Sequence, residues 1–332
     1  MEKNSYTFKL SEIQQKRLIS FLQSGNYTPM DVPYTQIAVE AEGCRIALYT
    51  SGSCVVQGKG AHDWVVFSLE PEVLMEARLG YEEELSPDVF EPHMGIDESG
   101  KGDFFGPMVI AAVFVNKPLA KAFQEKGVRD SKTITSDRKA EAMAKDIRTM
   151  LQNRYAIVTI GPRAYNRLYA SMQSVNKILA WGHARAIENL LEKVPDCPRA
   201  VADQFGPEKQ IKQALLKNGR TIELIQRHKA ESDPAVAAAS ILARAGFLAA
   251  LRKMGEQYGM VIPKGASDQV KAAAADVIKQ KGPDVLLDVA KCHFKTTDAV
   301  LALTGHDRKE LGPDGQAVSK AFVRSKKLGV RS

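Results

Sequence analysis

The sequence predicts an α/β fold: a mixed sheet flanked by helices, preceded by a small α+β domain. Three observations predict it. Beyond residue 94, short apolar runs alternate with stretches of helical periodicity. Before residue 60, apolar and polar residues alternate with turn signals between them. Between the two lies an acidic, proline-bearing stretch, YEEELSPDVFEPHM, which reads as a linker. The 332 residues, 44% of them apolar, suffice for about two domains with full cores and exclude general disorder. No apolar run approaches the ~18 residues that span a bilayer, and no charged-then-apolar leader is seen, so a soluble, cytoplasmic protein without a membrane partner is expected. Cys44, Cys54, Cys197 and Cys292 form no CxxC pair and are expected as reduced thiols.

Element by element, LSEIQQKRLISFLQS (10–24) places its apolar residues on one helical face. TQIAVEAEGCRIALYTSGSCVVQGKG reads as three antiparallel strands with turns at Glu42-Gly43 and Ser51-Gly52-Ser53, and a second amphipathic segment covers about 61–79. In the second half, MVIAAVFV, RYAIVTI, RAVAD and TIELIQ are strands. Helices are expected at 136–153, 174–194, PEKQIKQALLKN and the long run opening at DPAVAAASILAR. Strands alternating with helices predict a largely parallel sheet, with one antiparallel hairpin where DESGKG leads straight into MVIAAVFV. The domains are thus expected at 1–85 and 95–305, with a linker at 86–94 and a flexible basic tail at 306–332.

Charge is unevenly distributed. The net +7 divides into −6 over residues 1–90, about +9 in the middle and +4 from His306 onward. A basic middle containing an acidic cluster suits a polyanionic substrate handled through metal ions. That cluster lies in GIDESGKGDFFGP, which nearly spells a phosphate-binding P-loop. Gly95, Gly100 and Lys101 fit, but Gly102 replaces the metal-binding Ser or Thr, and a strand rather than a helix follows. Asp97 and Glu98 would also face phosphate oxygens, and like charges ~4 Å apart repel by about 4 kcal/mol at an effective dielectric near 20.

Cation binding explains the carboxylates better. Asp97 and Glu98 end one strand, pointing to opposite faces if it is regular. Asp203 ends RAVAD and supplies a third oxygen ligand if the two strand ends lie side by side. Clustered carboxylates stay ionised only with a counter-charge, which Mg²⁺ or Mn²⁺ provides. For the fourth position there are two candidates. Asp233 precedes Pro234 and is well placed as a helix N-cap, which leaves Glu231 to turn into the site. The small residues after Pro234 form a face that packs close to the sheet.

With DESGKGD, VRDSK, VADQF and KAESDPAVAAASILAR in this order, residues 91–300 resemble the type 2 ribonuclease H family, most of all its ribonuclease HIII branch. Residues 1–85 resemble that branch's TATA-binding-protein-like domain. The resemblance implies a ribonuclease H-like sheet and an endonuclease that cuts the RNA strand of an RNA–DNA hybrid duplex. It further implies two Mg²⁺ or Mn²⁺ ions per site and 5′-phosphomonoester products. It carries the family's four acidic positions to Asp97, Glu98, Asp203 and Glu231, as catalytic residues and metal ligands. It assigns substrate contacts to Gly100, Lys101 and Gly102. As a secondary reading of the residues, Asp130, Ser131 and Lys132 form a phosphate contact, with a plain turn and a salt bridge as the alternative. Lys101 stands where the ribonuclease HII branch generally has Arg, and Ala266 where that branch tends to carry a junction-reading tyrosine.

His293 and Lys295 match a basic family segment, although a lone histidine is more often structural; His228 and Asn176 are lesser candidates. The acidic N-terminal domain grips nucleic acid only if Lys9, Lys16, Arg17, Arg45 and Lys59 share one face, with Tyr49 and Gln57 available for groove contacts. A regulatory or dimerising role is the alternative, and the chain is expected to be monomeric. Two other functions compete: a ribonuclease HII-like enzyme cutting at single ribonucleotides or RNA–DNA junctions, and a hybrid-binding protein without catalysis.

Overall fold

The computed structural model describes residues 4–75, 87–128, 134, 136–203, 208–215, 219, 222–227 and 230–319. The side chains of Pro87, Glu208, Lys209, Gln210, Arg227 and Glu231 lie outside that description. The chain divides into two compact units, Met1–Phe90 and Glu91–Ser332.

The first unit contains β1 (Ser5–Lys9), α1 (Glu12–Ser24), β2 (Thr28–Pro29), β3 (Thr35–Ala41), β4 (Cys44–Tyr49), β5 (Ser53–Gln57) and α2 (Ala61–Trp64), which runs on as a π-helix over Val65–Leu74. The sheet order is β1-β5-β4-β3-β2 and every pair is antiparallel. The three expected strands are β3 to β5; the flanking β1 and β2 are additional. Helix α1 opens with a capping box between Ser11 and Gln14. Its Leu18 and Leu22 join Ile46, Leu48, Cys54 and Val56 in one core. The second amphipathic segment is π-helical from Val65 to Leu74 and contains Pro71, which has no N–H to donate within it.

The second unit is built on β6 (His93–Ser99), β7 (Met108–Val115), β8 (Tyr155–Ile160), β9 (Arg199–Asp203) and β10 (Glu223–Arg227). Its helices in chain order are α3 (Lys117–Glu125), α4 (Asp137–Leu151), α5 (Pro162–Met172), α6 (Val175–Leu191), α7 (Glu208–Ala214), α8 (Pro234–Tyr258), α9 (Asp268–Lys281), α10 (Leu286–Val289), α11 (Lys295–Leu303) and α12 (Gly312–Gly315). The sheet order is β10-β9-β6-β7-β8. The first three strands are mutually parallel; β7 runs antiparallel to β6 and to β8, so it alone is reversed and β8 points the same way as the first three. Most strands therefore share one direction, as expected, and the expected hairpin is β6–β7.

Strand β7 shows why its sequence is uninterruptedly apolar. Val109, Ala111, Val113 and Val115 face the α8 layer, while Met108, Ile110, Ala112 and Phe114 face α6. Both faces are covered, so no position is left for a polar residue. Helix α8 is long and apolar enough to cross a membrane, contrary to the expectation that no run approaches that length. Most of its apolar stretch is buried within the protein, against β6 and β7. Its approach to β6 is close: a Cβ on Gly95 would lie 2.1 Å from the Val236 nitrogen.

Two expected boundaries are corrected. The stretch read as a linker to residue 94 already contains the start of β6, because the buried His93 ring bonds to Asp233 at the foot of α8. The stretch from 306 is not a loose tail through residue 319. A capping box at Asp307 and Glu310 starts a 3₁₀ turn, and Arg308 donates to the carbonyls of Cys292 and Gly315, each at 2.7 Å. Residues 320–332 lie outside the described residues.

Candidate active site

Three elements meet at the C-terminal ends of the parallel strands. Ile96 pairs with Ala202, so the next residues along β6 and β9, Asp97 and Asp203, are neighbours across strands about 4.8 Å apart. Alternation sets their faces. Ile96 and Ala202 belong to the α6-side core, and Val201 packs with Ala230 and Val236 on the α8 side. Asp97 and Asp203 therefore both lie on the α8 face. The 3₁₀ turn Ala230–Ser232 sits over β9 through Ala230, which places the backbone of Glu231 at this same corner.

Asp233 is engaged by bonds of its own. It caps α8, accepting from Ala235 N at 2.9 Å and Val236 N at 3.3 Å, and it binds His93 Nε2 at 3.0 Å. This matches the N-cap role expected from Pro234.

Glu98 points to the other face, as a regular strand requires. There His183 Nε2 of α6 lies 3.0 Å from Oε2, and Lys101 Nζ lies 3.8 Å from Oε1. Burial by itself would raise the Glu98 pKa, but the His183 hydrogen bond and charge, helped by Lys101, outweigh it and hold the carboxyl below its usual range. Asp97 behaves oppositely. Burial first, then the charge of Glu98, pushes it up to about 6, against a hydrogen bond from Ser240. Sequence reasoning missed His183 and Ser240. The signal for His183 was a polar residue on the apolar stripe of a helix; Ser240 was counted only among the small residues of α8.

Among the described residues, no three His, Cys, Asp or Glu side chains are grouped closely enough to hold a metal ion. The Glu231 side chain lies outside that description, and Glu98 diverges from Asp97. The donor set still fits a hard cation. Its members are all carboxylates, and ionised Asp97 is poorly compensated by the protein alone.

The glycine stretch forms a turn between two strands, not a P-loop leading into a helix. Gly100 adopts φ +89°, and a Cβ there would meet the Pro107 carbonyl oxygen at 2.3 Å; Gly102 is exposed, with open space around it. Asp103 serves this loop rather than a metal, its Oδ1 accepting from Gly265 N at 2.6 Å. His293 is a buried structural residue, stacked on Tyr169 at 4.4 Å. Burial first, then the charges of Lys291 and Arg308, lowers it to about 4. Lys295 is exposed at the start of α11, and Asn176 is half-buried in the first turn of α6. Asp130, Ser131, Lys132 and His228 lie outside the described residues.

A mixed sheet carrying carboxylates at its parallel strand ends defines a class, and the comparisons agree with it. The ribonuclease HII family profile matches residues 94–297. Relatives extend the likeness to nearly the whole chain. Ribonuclease HIII of Protochlamydia amoebophila is 39% identical over 290 residues, covering 87% of this chain and 94% of its own. Ribonuclease HIII of Chlamydia muridarum is 42% identical over 276 residues, covering 82% and 89%. The crystal structure of Bst-RNase HIII in complex with Mn²⁺ aligns with a TM-score of 0.63 at 26% identity, covering 90% of this chain and 99% of that one. The ribonuclease H2 of Pyrococcus horikoshii, at 20% identity and a TM-score of 0.54, shares the fold over 65% of this chain. This chain belongs to the ribonuclease HIII branch of the ribonuclease HII family.

Proposed function

We propose that the chain is an endonuclease that hydrolyses the RNA strand of RNA–DNA hybrids, with Asp97, Glu98, Asp203 and Glu231 as its acidic centre. The observation that carries the reading is the register of β6 and β9, which sets Asp97 beside Asp203 on one face, below the turn bearing Glu231. A pair of Mg²⁺ or Mn²⁺ ions at such a site supplies an activated water and a stabilised leaving oxygen. The chain's own residues do the rest. Asp97, Asp203 and Glu231 offer oxygen ligands, His183 and Lys101 hold Glu98 ionised, and Ser240 orients Asp97. Gly102, open to solvent, lets a ribose 2′-hydroxyl approach the backbone, and Lys101 reaches a neighbouring phosphate. Ser131 and Lys132 are the proposed second phosphate contact.

The first unit is the proposed duplex-gripping domain. Its helices cover one face of the sheet, and the open face carries Lys9, Arg45, Tyr49 and Gln57, with Arg45 opposite Gln57. Lys16 and Arg17 are exposed on α1, so the basic residues do not all share that face. Glu12, Asp63 and Glu72 belong to the helical layer, while Glu40 shares the open face with Arg45, 3.9 Å from it.

Two substrates test the reading: a duplex containing a run of ribonucleotides opposite DNA, and duplex DNA containing one ribonucleotide, each with Mg²⁺ or Mn²⁺. Cutting within the run and little at the single ribonucleotide is expected. Efficient cutting at the single ribonucleotide would transfer the activity to the ribonuclease HII type, and no metal-dependent cutting of either would leave a binding protein.

A further inference from the structure

Lys291 has no part in the acidic centre, yet it is fully buried. Its Nζ donates to the carbonyls of Phe105 at 3.1 Å and Gly106 at 2.6 Å, and lies 6.0 Å from the centre of the Tyr165 ring. Its backbone N–H donates to Phe104 O at 2.8 Å, Gly106 N donates to Val289 O at 2.8 Å, and Phe105 bridges to Ala290. On the other side of the same loop, Gly265 N donates to Asp103 and Phe104 N donates to Gly265 O at 2.9 Å. The loop from Gly100 to Gly106 is therefore clamped twice, by the strand-like segment at Val289–Lys291 and by the turn at Gly265. Phe104 and Phe105 are wholly buried beside it, so without the ammonium the two carbonyls would face apolar surroundings. Burial drives the Lys291 pKa down to about 7, against the pull of Asp103, so the amine occupies a site that disfavours its charge. A methionine of similar length could fill this space without that penalty, but it could bond neither carbonyl.

We propose that Lys291 is a positioning residue for substrate: by gripping the carbonyls of Phe105 and Gly106, it fixes Gly100, Lys101 and Gly102 where they meet the RNA strand. The inference rests on reading that loop as a substrate contact. It is tested on the full chain with Mn²⁺ and an RNA–DNA hybrid. Lys291→Met is expected to raise KM about tenfold while kcat changes less than about threefold. Lys101→Ala is expected to raise KM in the unaltered chain and to add little in the Lys291→Met background, because both act through one loop. Amide hydrogen exchange should accelerate over residues 100–106 and stay unchanged in β7 and β8. An unchanged KM, fully additive losses, or exchange rising equally throughout the sheet overturns the proposal. Should Lys291→Met fail to fold, Asp103→Ala releases the second clamp from a partly exposed position. The same non-additivity with Lys101→Ala is expected there, and additivity overturns the proposal. A Lys101→Ala variant with unaltered KM removes the loop's substrate role, and the proposal with it. An impaired Lys101→Ala variant that is additive with Lys291→Met removes the positioning role alone.

Discussion

Asp97 sits where burial and the charge of Glu98 both oppose its ionisation, and its pKa rises from an ordinary value near 4 to about 6. A carboxyl with a raised folded pKa holds more protons folded than unfolded between those values. Stability of the metal-free protein therefore falls as pH rises through that window and stays lower above it. With chelator present, Asp97→Asn is expected to unfold later than the unaltered chain at about pH 7.5, by on the order of 1–2 kcal/mol. The difference should vanish near pH 4, and denaturant titrations at the two pH values measure it; a difference independent of pH would refute it. Cleavage by the same variant is expected to fall at least about a thousandfold, while hybrid binding survives. Residues 231 and 233 give a contrasting pair. Asp233→Ala removes an N-cap and the partner of buried His93, and is expected to lower stability by about 2–4 kcal/mol. Glu231→Gln is expected to abolish cleavage with little change in unfolding midpoint; a large shift in that midpoint would make Glu231 structural.

At the scale of elements, the site depends on how closely α8 approaches β6. That approach brings the 230–232 turn over the strand ends, and it requires the absence of a side chain at residue 95. A Cβ there would lie 2.1 Å from Val236 N and 2.3 Å from the Ala235 carbonyl carbon, both backbone atoms that cannot swing aside. Gly95→Ala is therefore expected to cost about 1–3 kcal/mol and to reduce cleavage as well, since lifting α8 moves Glu231 away from Asp203. Thermal unfolding and turnover measured on one preparation check both effects; a stable variant with lost activity, or the reverse, breaks the link between them. The remaining helices were legible where caps and periodicity coincide, as in α4 behind Ser136. The sequence reading gave no helix at α3, α5, α9 or α11, although Asn116 and Pro118 open the first, and Gly161 and Pro162 the second. Three of these are short and lie between better-marked elements, and α9 opens without a side-chain cap bond, so the local preference gave little contrast.

For the whole molecule, the stretch after residue 305 changes most between sequence and structure. Leu311 is buried in the main core, and Arg308 ties Cys292, Phe294, Asp298 and Gly315 together. Ending the chain at residue 305 is expected to lower the unfolding temperature by several degrees, whereas ending it at 319 should leave it nearly unchanged. Comparing the two truncations by calorimetry decides the point: equal melting temperatures would return the whole stretch to a loose tail. Polar composition misled here, because a capping box and one arginine secure a segment that has few apolar residues of its own.

The sequence by itself determined the mixed α/β order and the family, because these reside in residue identity and local periodicity. It also marked Asp233 as the cap of α8, since a proline after an aspartate is a local signal for a helix start. Only the tertiary structure decided which side chains brace the site. His183, Ser240 and Lys291 lie 85, 143 and 186 residues from Glu98, Asp97 and Phe105, the groups they hold. No local pattern marks such contacts, because a hydrogen bond between distant segments exists only after the sheet has set the strand ends side by side.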